Sequence, residues 1–188
     1  MTTSTSQRNH FIQGQSIYLR EVRESDVNQG YYHWLNDPQV NQFLETRFAP
    51  RSIQDIKAFV ASKDSNQNEP FFAICCSATD KHIGNIKLGP INWVHRRADI
   101  SLVIGDKTYW GKGVASQAIQ LVCQFAFETL SLNKLQAGAY HQNIGSIKAF
   151  KKNGFDQEGY VKELCFANNQ AVDMVLMGLT YSDYLDKG

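Results

Sequence analysis

The chain has 188 residues, of which 43% are hydrophobic and 20% are charged, and its formal net charge is +1. A chain of this length can bury one substantial core, whereas two independent domains would both be undersized. So small a net charge argues against nucleic acid as an obligatory partner, and no apolar run approaches the roughly 20 residues of a membrane-spanning helix. We therefore expect a soluble, cytoplasmic protein whose partners are small molecules.

Neither the N-terminal segment nor the cysteines indicate a targeting sequence or a metal site. Residues 1–16 are polar and lack an apolar stretch of signal-peptide length, so we expect a loose leader before a single domain over residues 17–188. The cysteines include no Cys-x-x-Cys pair and have no histidine at metal-ligand spacing. They are Cys75, Cys76, Cys123 and Cys165. We predict no metal site and expect these thiols to act as small buried hydrophobic groups.

The N-terminal third predicts one strand and two helices. Residues 17–20 alternate as a strand does, and Ser25-Asp26 offers an N-cap for a helix that Asn36-Asp37-Pro38 ends. A second helix should begin at Ser52, because Asp55 three residues later completes a capping box.

From Pro70 onwards the pattern changes to strands that are joined by short turns, which favours antiparallel neighbours. The expected elements are strands over 71–77, 82–88 and 98–104, a long helix over 112–129, a strand around 135–139, a helix over 146–152, and a hairpin of strands 159–166 and 171–179. Asn153-Gly154 should close the short helix, and Asn168-Asn169-Gln170 should form the hairpin turn.

A glycine-containing segment, Trp110-Gly111-Lys112-Gly113-Val114-Ala115-Ser116, lies between the strand ending at Ile104 and the long helix. Free N–H groups at a helix start, together with the helix dipole, form a docking site for phosphate. A Walker A loop is excluded because no Gly-Lys-Ser/Thr stands at the required spacing, and a Rossmann fingerprint is matched only in part. Two interpretations stay open here: a loop for another phosphate-bearing cofactor, and a tight turn that packs a helix against a sheet.

Five segments extend this observation along the chain. They are Trp34-Leu35-Asn36-Asp37-Pro38, Trp110 to Ala115, Asn143-Ile144-Gly145-Ser146, Gly154-Phe155 and Asp173-Met174-Val175-Leu176-Met177-Gly178-Leu179. In this order the set resembles the GNAT superfamily of N-acetyltransferases, and more closely its branch of ribosomal-protein alanine and spermidine acetyltransferases. The similarity spans roughly residues 17–181.

The resemblance implies an α+β fold of three layers, with a mixed, mostly antiparallel sheet of about six or seven strands and about four flanking helices. Two central strands would splay apart, and acetyl-CoA would lie in the gap as co-substrate. Its pantetheine arm would pair with the backbone of Leu102, Val103 and Ile104, and the Val103 N–H would stabilise the thioester oxyanion. The other residues implied to contact acetyl-CoA are Trp110, Gly111, Lys112, Gly113, Val114, Ala115, Ser116, Asn143, Ser146 and Phe150.

Acetyl transfer to an amine needs a base for the amine and a proton for the departing thiolate. The family often supplies that proton from a Tyr on the helix after the Asn, where this chain has Phe150. Tyr140 is the substitute acid, with a buried structural role as its alternative. His141, Asp99 and Glu163 are candidate bases. Solvated or packing roles explain these three residues as well.

Aromatic and charged side chains suggest where an acceptor binds. Tyr31, Trp34 and Arg47 suit a ring or a protein N-terminus, and Asp173 suits a cationic amine, although core packing also explains Trp34. We expect the acceptor to be a nucleotide-linked amino sugar or a protein N-terminus, with no nucleic acid or membrane partner, and a homodimer stays open. Two rival hypotheses are a non-catalytic acyl-CoA-binding or regulatory module and a dinucleotide-binding module.

Overall fold

The computed structural model of the protein describes residues 10–167 and 169–187, and in these residues an eight-stranded sheet has the order β1-β2-β3-β4-β5-β6-β8-β7. The strands are β1 (Ile12–Gln13), β2 (Ile17–Glu21), β3 (Phe71–Cys76), β4 (His82–Leu88), β5 (Arg97–Ile104), β6 (Lys134–Tyr140), β7 (Asp156–Ala167) and β8 (Gln170–Thr180). The α-helices are α1 (Gln29–Asn36), α2 (Pro38–Asn41), α3 (Ile53–Lys63), α4 (Val114–Gln124), α5 (Ile144–Lys152) and α6 (Tyr181–Lys187). Short 3-10 turns occur at Glu24–Asp26, Glu45–Phe48 and Lys107–Tyr109, and a π-helical turn at Phe125–Thr129 continues α4.

The expected fold class is confirmed, because every neighbouring pair of strands is antiparallel except β5 and β6. The sheet exceeds the expected number of strands by β1, and the helices exceed the expected number by α2 and α6. Residues 1–9 of the expected leader lie outside the described residues, as does Asn168 of the expected hairpin turn. The remaining part of the leader is not loose, since Ile12 pairs with Leu19, and Phe11 stacks on Phe72 with ring centroids 5.6 Å apart.

The first helix begins later than the sequence predicts. Asn28 caps α1 by accepting a hydrogen bond from Tyr31 N–H at 3.2 Å. The predicted cap at Ser25-Asp26 is wrong because the Asp26 carboxylate binds Arg20, with both oxygens 2.7 Å from guanidinium nitrogens. The predicted end is confirmed, since α1 stops at Asn36.

The other helices begin where their caps place them. The capping box of Ser52 and Asp55 is confirmed at the start of α3. The long helix begins at Val114, two residues later than predicted, because Gly113 is its N-cap in the left-handed conformation. Helix α5 begins two residues earlier than predicted, because the Asn143 side chain accepts a hydrogen bond from Ser146 N–H.

Two hydrophobic clusters place helices on both faces of the sheet. The larger cluster joins the central strands to α4 and α5, and Ile119, Leu135 and Phe150 are among its buried members. A smaller cluster of Val27, Tyr31, Ile56 and Val60 packs α1 and α3 together on the other face. None of the helices in the described residues is long and apolar enough to cross a bilayer.

The pairing of β5 with β6 stops after three residues. These parallel strands pair only at Arg97 with Lys134, Ala98 with Leu135 and Asp99 with Gln136. Beyond Asp99, β5 continues to pair with β4, while β6 continues to pair with β8. Residues 100–104 and 137–140 therefore border a V-shaped gap inside the sheet, as the resemblance implies.

The ion pair of Arg20 and Asp26 yields a stability prediction. Burial by itself raises the pKa of Asp26, but hydrogen bonds from Arg20 and the Arg23 N–H outweigh it and hold this pKa below its ordinary value. Asp26→Ala leaves the buried Arg20 charge unpaired, so we expect it to reduce the free energy of unfolding by about 3 kcal/mol. Urea denaturation at pH 7 measures this loss. Glu24→Ala, which removes an exposed partner of Lys57, should change stability by less than about 1 kcal/mol.

The same pair predicts the pH dependence. Folding lowers the pKa of Asp26, so the ion pair contributes fully to the free energy of unfolding above an ordinary carboxyl pKa of about 4. This contribution is lost as the pH falls through the lowered pKa of the folded state. The stability difference between the wild type and Asp26→Asn should therefore shrink below about pH 4. A difference that is constant from pH 7 to pH 3 would contradict this assignment.

Candidate active site

Only alternate residues of β5 direct their backbone groups into the gap. The ladder between β4 and β5 continues to Gly105, whose N–H donates to Ile83 O at 2.9 Å, so odd-numbered residues of β5 bond to β4. Bonding directions alternate along an antiparallel strand, and Leu102 and Ile104 therefore present their N–H and C=O groups to the gap. The placement of the Val103 N–H at the oxyanion is contradicted, because that N–H belongs to the ladder with β4.

The loop before α4 is built to leave a helix start open. Gly111 and Gly113 have φ of +72° and +77°, in the left-handed region that favours glycine, and a Cβ at either position would have no atom within 4 Å. No side chain caps α4. The first N–H groups of a helix lack partners within the helix, so those of Val114 and its neighbours are free for an anion. Trp110 Nε1 donates to Ile104 O at 2.8 Å and fixes the loop to the end of β5.

The two lysines of this segment have different surroundings. Lys107 Nζ donates to Asp37 Oδ2 at 2.8 Å and to Gln39 Oε1 at 2.9 Å, so it joins the loop to α2. Lys112 is exposed, with its Nζ 5.6 Å from the Tyr109 ring centroid. Lys112 therefore lies exposed beside the open helix start, and its role in binding phosphate stays a prediction.

The second segment that is expected to contact acetyl-CoA lies at the start of α5. Asn143 Oδ1 accepts the Ser146 N–H at 3.2 Å, so this side chain fixes the turn that leads from β6 into the helix. Phe150 is buried, packs against Phe155 with ring centroids 5.0 Å apart, and forms one wall of the gap. It offers no proton. Ser116, on α4, accepts hydrogen bonds from Asn153 Nδ2 through both its carbonyl and its hydroxyl oxygen.

A cavity of about 580 Å³ joins the gap to the face that carries α1 and α3. The gap contributes Ile100, Ser101, Leu102, Val103, Gly138, Ala139, Tyr140, Asn143, Ser146 and Phe150. The N-terminal elements contribute Tyr31, Leu35, Phe43, Leu44, Glu45, Thr46, Arg51, Asp55, Ile56 and Phe59. The strands beside the gap add Phe71, Asn85 and Lys87, and β8 adds Met174. Residues far apart in the sequence therefore line one common cavity.

Tyr140 connects this cavity to the 3-10 turn at Glu45–Phe48. Its hydroxyl donates to Glu45 Oε1 at 2.6 Å and accepts from Arg47 Nη2 at 2.9 Å. Burial and the Glu45 carboxylate raise the pKa of Tyr140 to about 12, against the opposite effect of Arg47. The Glu45 side chain is 74% exposed at the edge of the cavity. The same Glu45 oxygen lies 3.8 Å from Arg47 Nη1, so this carboxylate is ion-paired with Arg47 and also accepts the hydrogen bond from Tyr140.

The candidate bases are dispersed. Asp99 lines a second, smaller cavity that meets the first at Ser101 and Gly138, and lost hydration there raises the pKa of Asp99. His141 follows β6, and its backbone N–H donates to Asp173 O. The Glu163 backbone N–H donates to Asp173 Oδ1 at 2.8 Å. Of the three candidate bases, only Asp99 lines either of these two cavities.

Asp173 itself is occupied within the hairpin. Its Oδ2 accepts from the Tyr160 hydroxyl at 2.5 Å, and the hydrogen bonds from Tyr160 and the Glu163 N–H lower the pKa of Asp173. These contacts fix the bulge between β7 and β8, where the register shifts between Val161 and Cys165. Asp173 is not among the residues that line the main cavity.

The expected acceptor residues fall into two groups. Tyr31 lines the cavity, whereas Trp34 packs behind it against Tyr31 and His82, with ring centroids 5.6 Å and 5.0 Å away. Arg47 lies outside the cavity lining and donates to Leu44 O, Phe166 O and Tyr140. Arg47 therefore binds elements of this chain together.

Several polar residues of the cavity were not predicted as site residues from the sequence, among them Glu45, Thr46, Arg51 and Asn85. They lie in separate segments with no common spacing, so no single motif joins them. In the described part of the chain, no group of three or more His, Cys, Asp or Glu side chains is placed to hold a metal ion. All four cysteines are free, and Cys75, Cys76 and Cys123 are buried as expected.

Comparisons with known proteins agree with this geometry. Residues 16–156 match the model of the family described as an acetyltransferase (GNAT) domain. The spermidine N(1)-acetyltransferase of Escherichia coli strain K12 is 32% identical over 177 residues, which cover 90% of this chain and 89% of that protein. The uncharacterized N-acetyltransferase p20 of Bacillus licheniformis is 28% identical over 174 residues, covering 89% of this chain and 94% of that protein.

A solved structure shows the same fold. Spermidine N-acetyltransferase from Vibrio cholerae, in complex with CoA and spermine, superposes with a TM-score of 0.81 at 22% sequence identity. The superposition covers 92% of this chain and 99% of that chain.

Gly113 provides a test of the open helix start. Gly113→Val strains the left-handed backbone and places a branched side chain over the free N–H groups, so we expect CoA affinity to fall at least about tenfold, or about 1.4 kcal/mol. Isothermal titration with CoA measures the loss, and thermal unfolding checks that the variant is folded. Gly30→Ala on α1, where a Cβ approaches only the Asn28 side chain, should leave CoA affinity unchanged. Equal affinity in Gly113→Val and the wild type would contradict the assignment.

Proposed function

The chain belongs to the acetyltransferase (GNAT) family, and from this premise we propose that it transfers the acetyl group of acetyl-CoA to the primary amine of a small molecule. One observation carries the proposal. A single cavity is lined both by Leu102, Asn143 and Phe150 of the gap and by Tyr31 and Glu45 on the opposite face. A donor in the gap and an acceptor beside Glu45 would therefore meet in one cavity.

The residues present fit acetyl-CoA, which as co-substrate supplies an activated thioester. The open start of α4 and Lys112 suit its pyrophosphate, since both offer positive charge and the glycines leave space there. The gap-facing backbone groups of Leu102 and the N–H of Ile104 suit an amide chain, which can pair with them as an added strand would, while Ile104 O already accepts from Trp110 Nε1. The same N–H groups suit a developing oxyanion. Asn143 orients the turn on the far side of the gap.

Glu45 is the group that we assign to the acceptor amine. An alkylamine has a pKa near 10, so it enters as a cation and must lose a proton before it can attack. Glu45 lies at the edge of the cavity, carries a negative charge and has one oxygen held by Tyr140 at 2.6 Å. It can bind the cation and pass its proton to solvent.

Tyr140 then orients Glu45 instead of protonating the thiolate. Its proton lies in the hydrogen bond to Glu45, and its pKa of about 12 makes it a weak acid. Phe150 cannot replace it, but a thiol pKa near 8.5 makes the thiolate a tolerable leaving group without full protonation. The absence of a hydroxyl on Phe150 also favours the rival function of a non-catalytic acyl-CoA-binding module.

Thiol release separates the two functions. With acetyl-CoA and a panel of primary amines, the enzyme should release free thiol in proportion to the acetylated amine, whereas a binding module should bind acetyl-CoA without turnover. Acetyl-CoA that fails to bind at millimolar concentration would overturn both functions.

Glu45→Gln tests the role of the carboxylate. The amide keeps the size of the side chain but removes its charge, so we expect kcat/KM for the best amine to fall at least about tenfold, or about 1.4 kcal/mol of transition-state stabilisation. CoA affinity should stay unchanged, because Glu45 belongs to the acceptor side. Raising the pH should partly restore kcat, since more of the amine is then neutral without help from a base.

Tyr140→Phe distinguishes an orienting role from an acid role. We expect a smaller loss than in Glu45→Gln, because the carboxylate remains, and no loss at all in the double variant relative to Glu45→Gln alone. If Tyr140 were the acid, the loss of kcat/KM in Tyr140→Phe would add to the loss in Glu45→Gln.

A further inference from the structure

Segment 42–50 forms part of the cavity wall but is joined to the sheet at few points. Its cavity-lining residues are Phe43, Leu44, Glu45 and Thr46. The end of the segment is fixed, because the Asn36 side chain bonds to both backbone groups of Arg51. In the described part of the chain, three side-chain hydrogen bonds join the segment to β6 and β7, and Arg47 makes two of them.

Arg47 uses both terminal nitrogens of its guanidinium. Its Nη2 donates to the Tyr140 hydroxyl at 2.9 Å and to Phe166 O at 3.1 Å. Its Nη1 donates to Leu44 O at 2.8 Å and lies 3.8 Å from Glu45 Oε1. The guanidinium carbon also lies 4.9 Å from the centroid of the Tyr140 ring. One side chain therefore connects the 3-10 turn to the end of β6 and to the hairpin of β7 and β8.

The connection depends on the chemistry of arginine. The Arg47 side chain is only 13% exposed, so water competes little for its hydrogen bonds. A planar guanidinium presents several donors at fixed angles, whereas a lysine ammonium is a single nitrogen that cannot reach the same set of acceptors. Tyr140 and Phe166 lie 93 and 119 positions from Arg47 in the sequence, so local structure could not replace these contacts.

The same contacts set the position of the Glu45 carboxylate. Its Oε1 accepts the Tyr140 hydroxyl at 2.6 Å and faces Arg47. Its Oε2 has no hydrogen bond within residues 10–167 and 169–187, and the side chain is 74% exposed. Arg47 and Tyr140 therefore hold one oxygen of this carboxylate and leave the other available to a ligand.

We propose that Arg47 is a positioning residue of the acceptor site. It holds segment 42–50 against β6 and β7, and thereby places the Glu45 carboxylate for the incoming amine. The proposal rests on the proposed function, because that function assigns Glu45 to the amine. Arg47 and Phe166 act without lining the cavity. The hairpin of β7 and β8 therefore supports the acceptor site from outside it.

Hydrogen exchange tests the attachment of segment 42–50 without any need for turnover. Arg47→Ala removes two of its three hydrogen bonds to the sheet, so we expect its amides to exchange at least about tenfold faster than in the wild type. Arg23→Ala, which removes a pairing with Glu21 at the surface, should leave this exchange unchanged. Unchanged exchange in Arg47→Ala would overturn the inference and leave the proposed function intact.

Steady-state kinetics test the positioning of Glu45. With the amine that the wild type acetylates best, Arg47→Ala should raise KM for the amine at least about tenfold and leave KM for acetyl-CoA unchanged. Added to Glu45→Gln, the same change should lower kcat/KM by no more than about twofold further, because both act through one carboxylate. Losses that multiply would overturn the positioning role. A wild type that binds acetyl-CoA but acetylates no amine would overturn the proposed function and this role together, while the exchange result still reports on the attachment.

Arg47→Lys separates charge from geometry and keeps the test valid should Arg47→Ala not fold. The ammonium keeps a positive charge near Glu45 but cannot bond to Leu44 O, Tyr140 and Phe166 O together. We expect faster exchange of segment 42–50 and a loss of kcat/KM of at least about fivefold. Wild-type exchange and kinetics in Arg47→Lys would overturn the assignment, since charge alone would then be sufficient.

Discussion

The early end of the pairing between β5 and β6 is the constraint on which the rest of the structure depends. After Asp99, neither strand has the other as a partner, so a sheet of eight strands contains two open edges at its centre. Open edges bind other extended chains, and proteins normally cover them. Here the loop before α4 covers one end through the hydrogen bond from Trp110 to Ile104, and the turn at Asn143 covers the other through its N–H to Tyr140 O. The proposed function therefore uses the sheet itself as the binding site for an amide chain.

Elements governed by local interactions could be predicted from the sequence. The capping box at Ser52 and the end of α1 at Asn36 depend on neighbouring residues, and both are confirmed. The start of α1 could not be predicted in the same way. Asp26 is a good cap by type, but Arg20 on β2 engages its carboxylate, and only the folded arrangement brings the two together. Strand β1 and helices α2 and α6 were also missed, because all three are short.

The half of the site proposed for acetyl-CoA could be predicted from the sequence, whereas the half proposed for the acceptor could not. The donor half consists of continuous segments with glycines and an asparagine at fixed spacing, and these segments carried the resemblance. The acceptor half brings together Glu45, Arg51, Asn85 and Tyr140 from four separate segments, and no periodicity joins them. The direction of the Val103 N–H depends on which neighbour pairs with β5 and in what register. That information is not present in a strand taken alone.

Because backbone directions alternate along β5, neighbouring residues of this strand face different parts of the site. Backbone groups of Leu102 and Ile104 serve the gap, whereas side chains of Ser101 and Val103 face the acceptor cavity. Because a substitution changes side chains and leaves backbone groups in place, the acceptor wall can vary while the donor groove persists. In the proposed function, substitutions at Ser101 and Val103 would therefore reshape the acceptor wall and leave the backbone groups of the donor groove where they are.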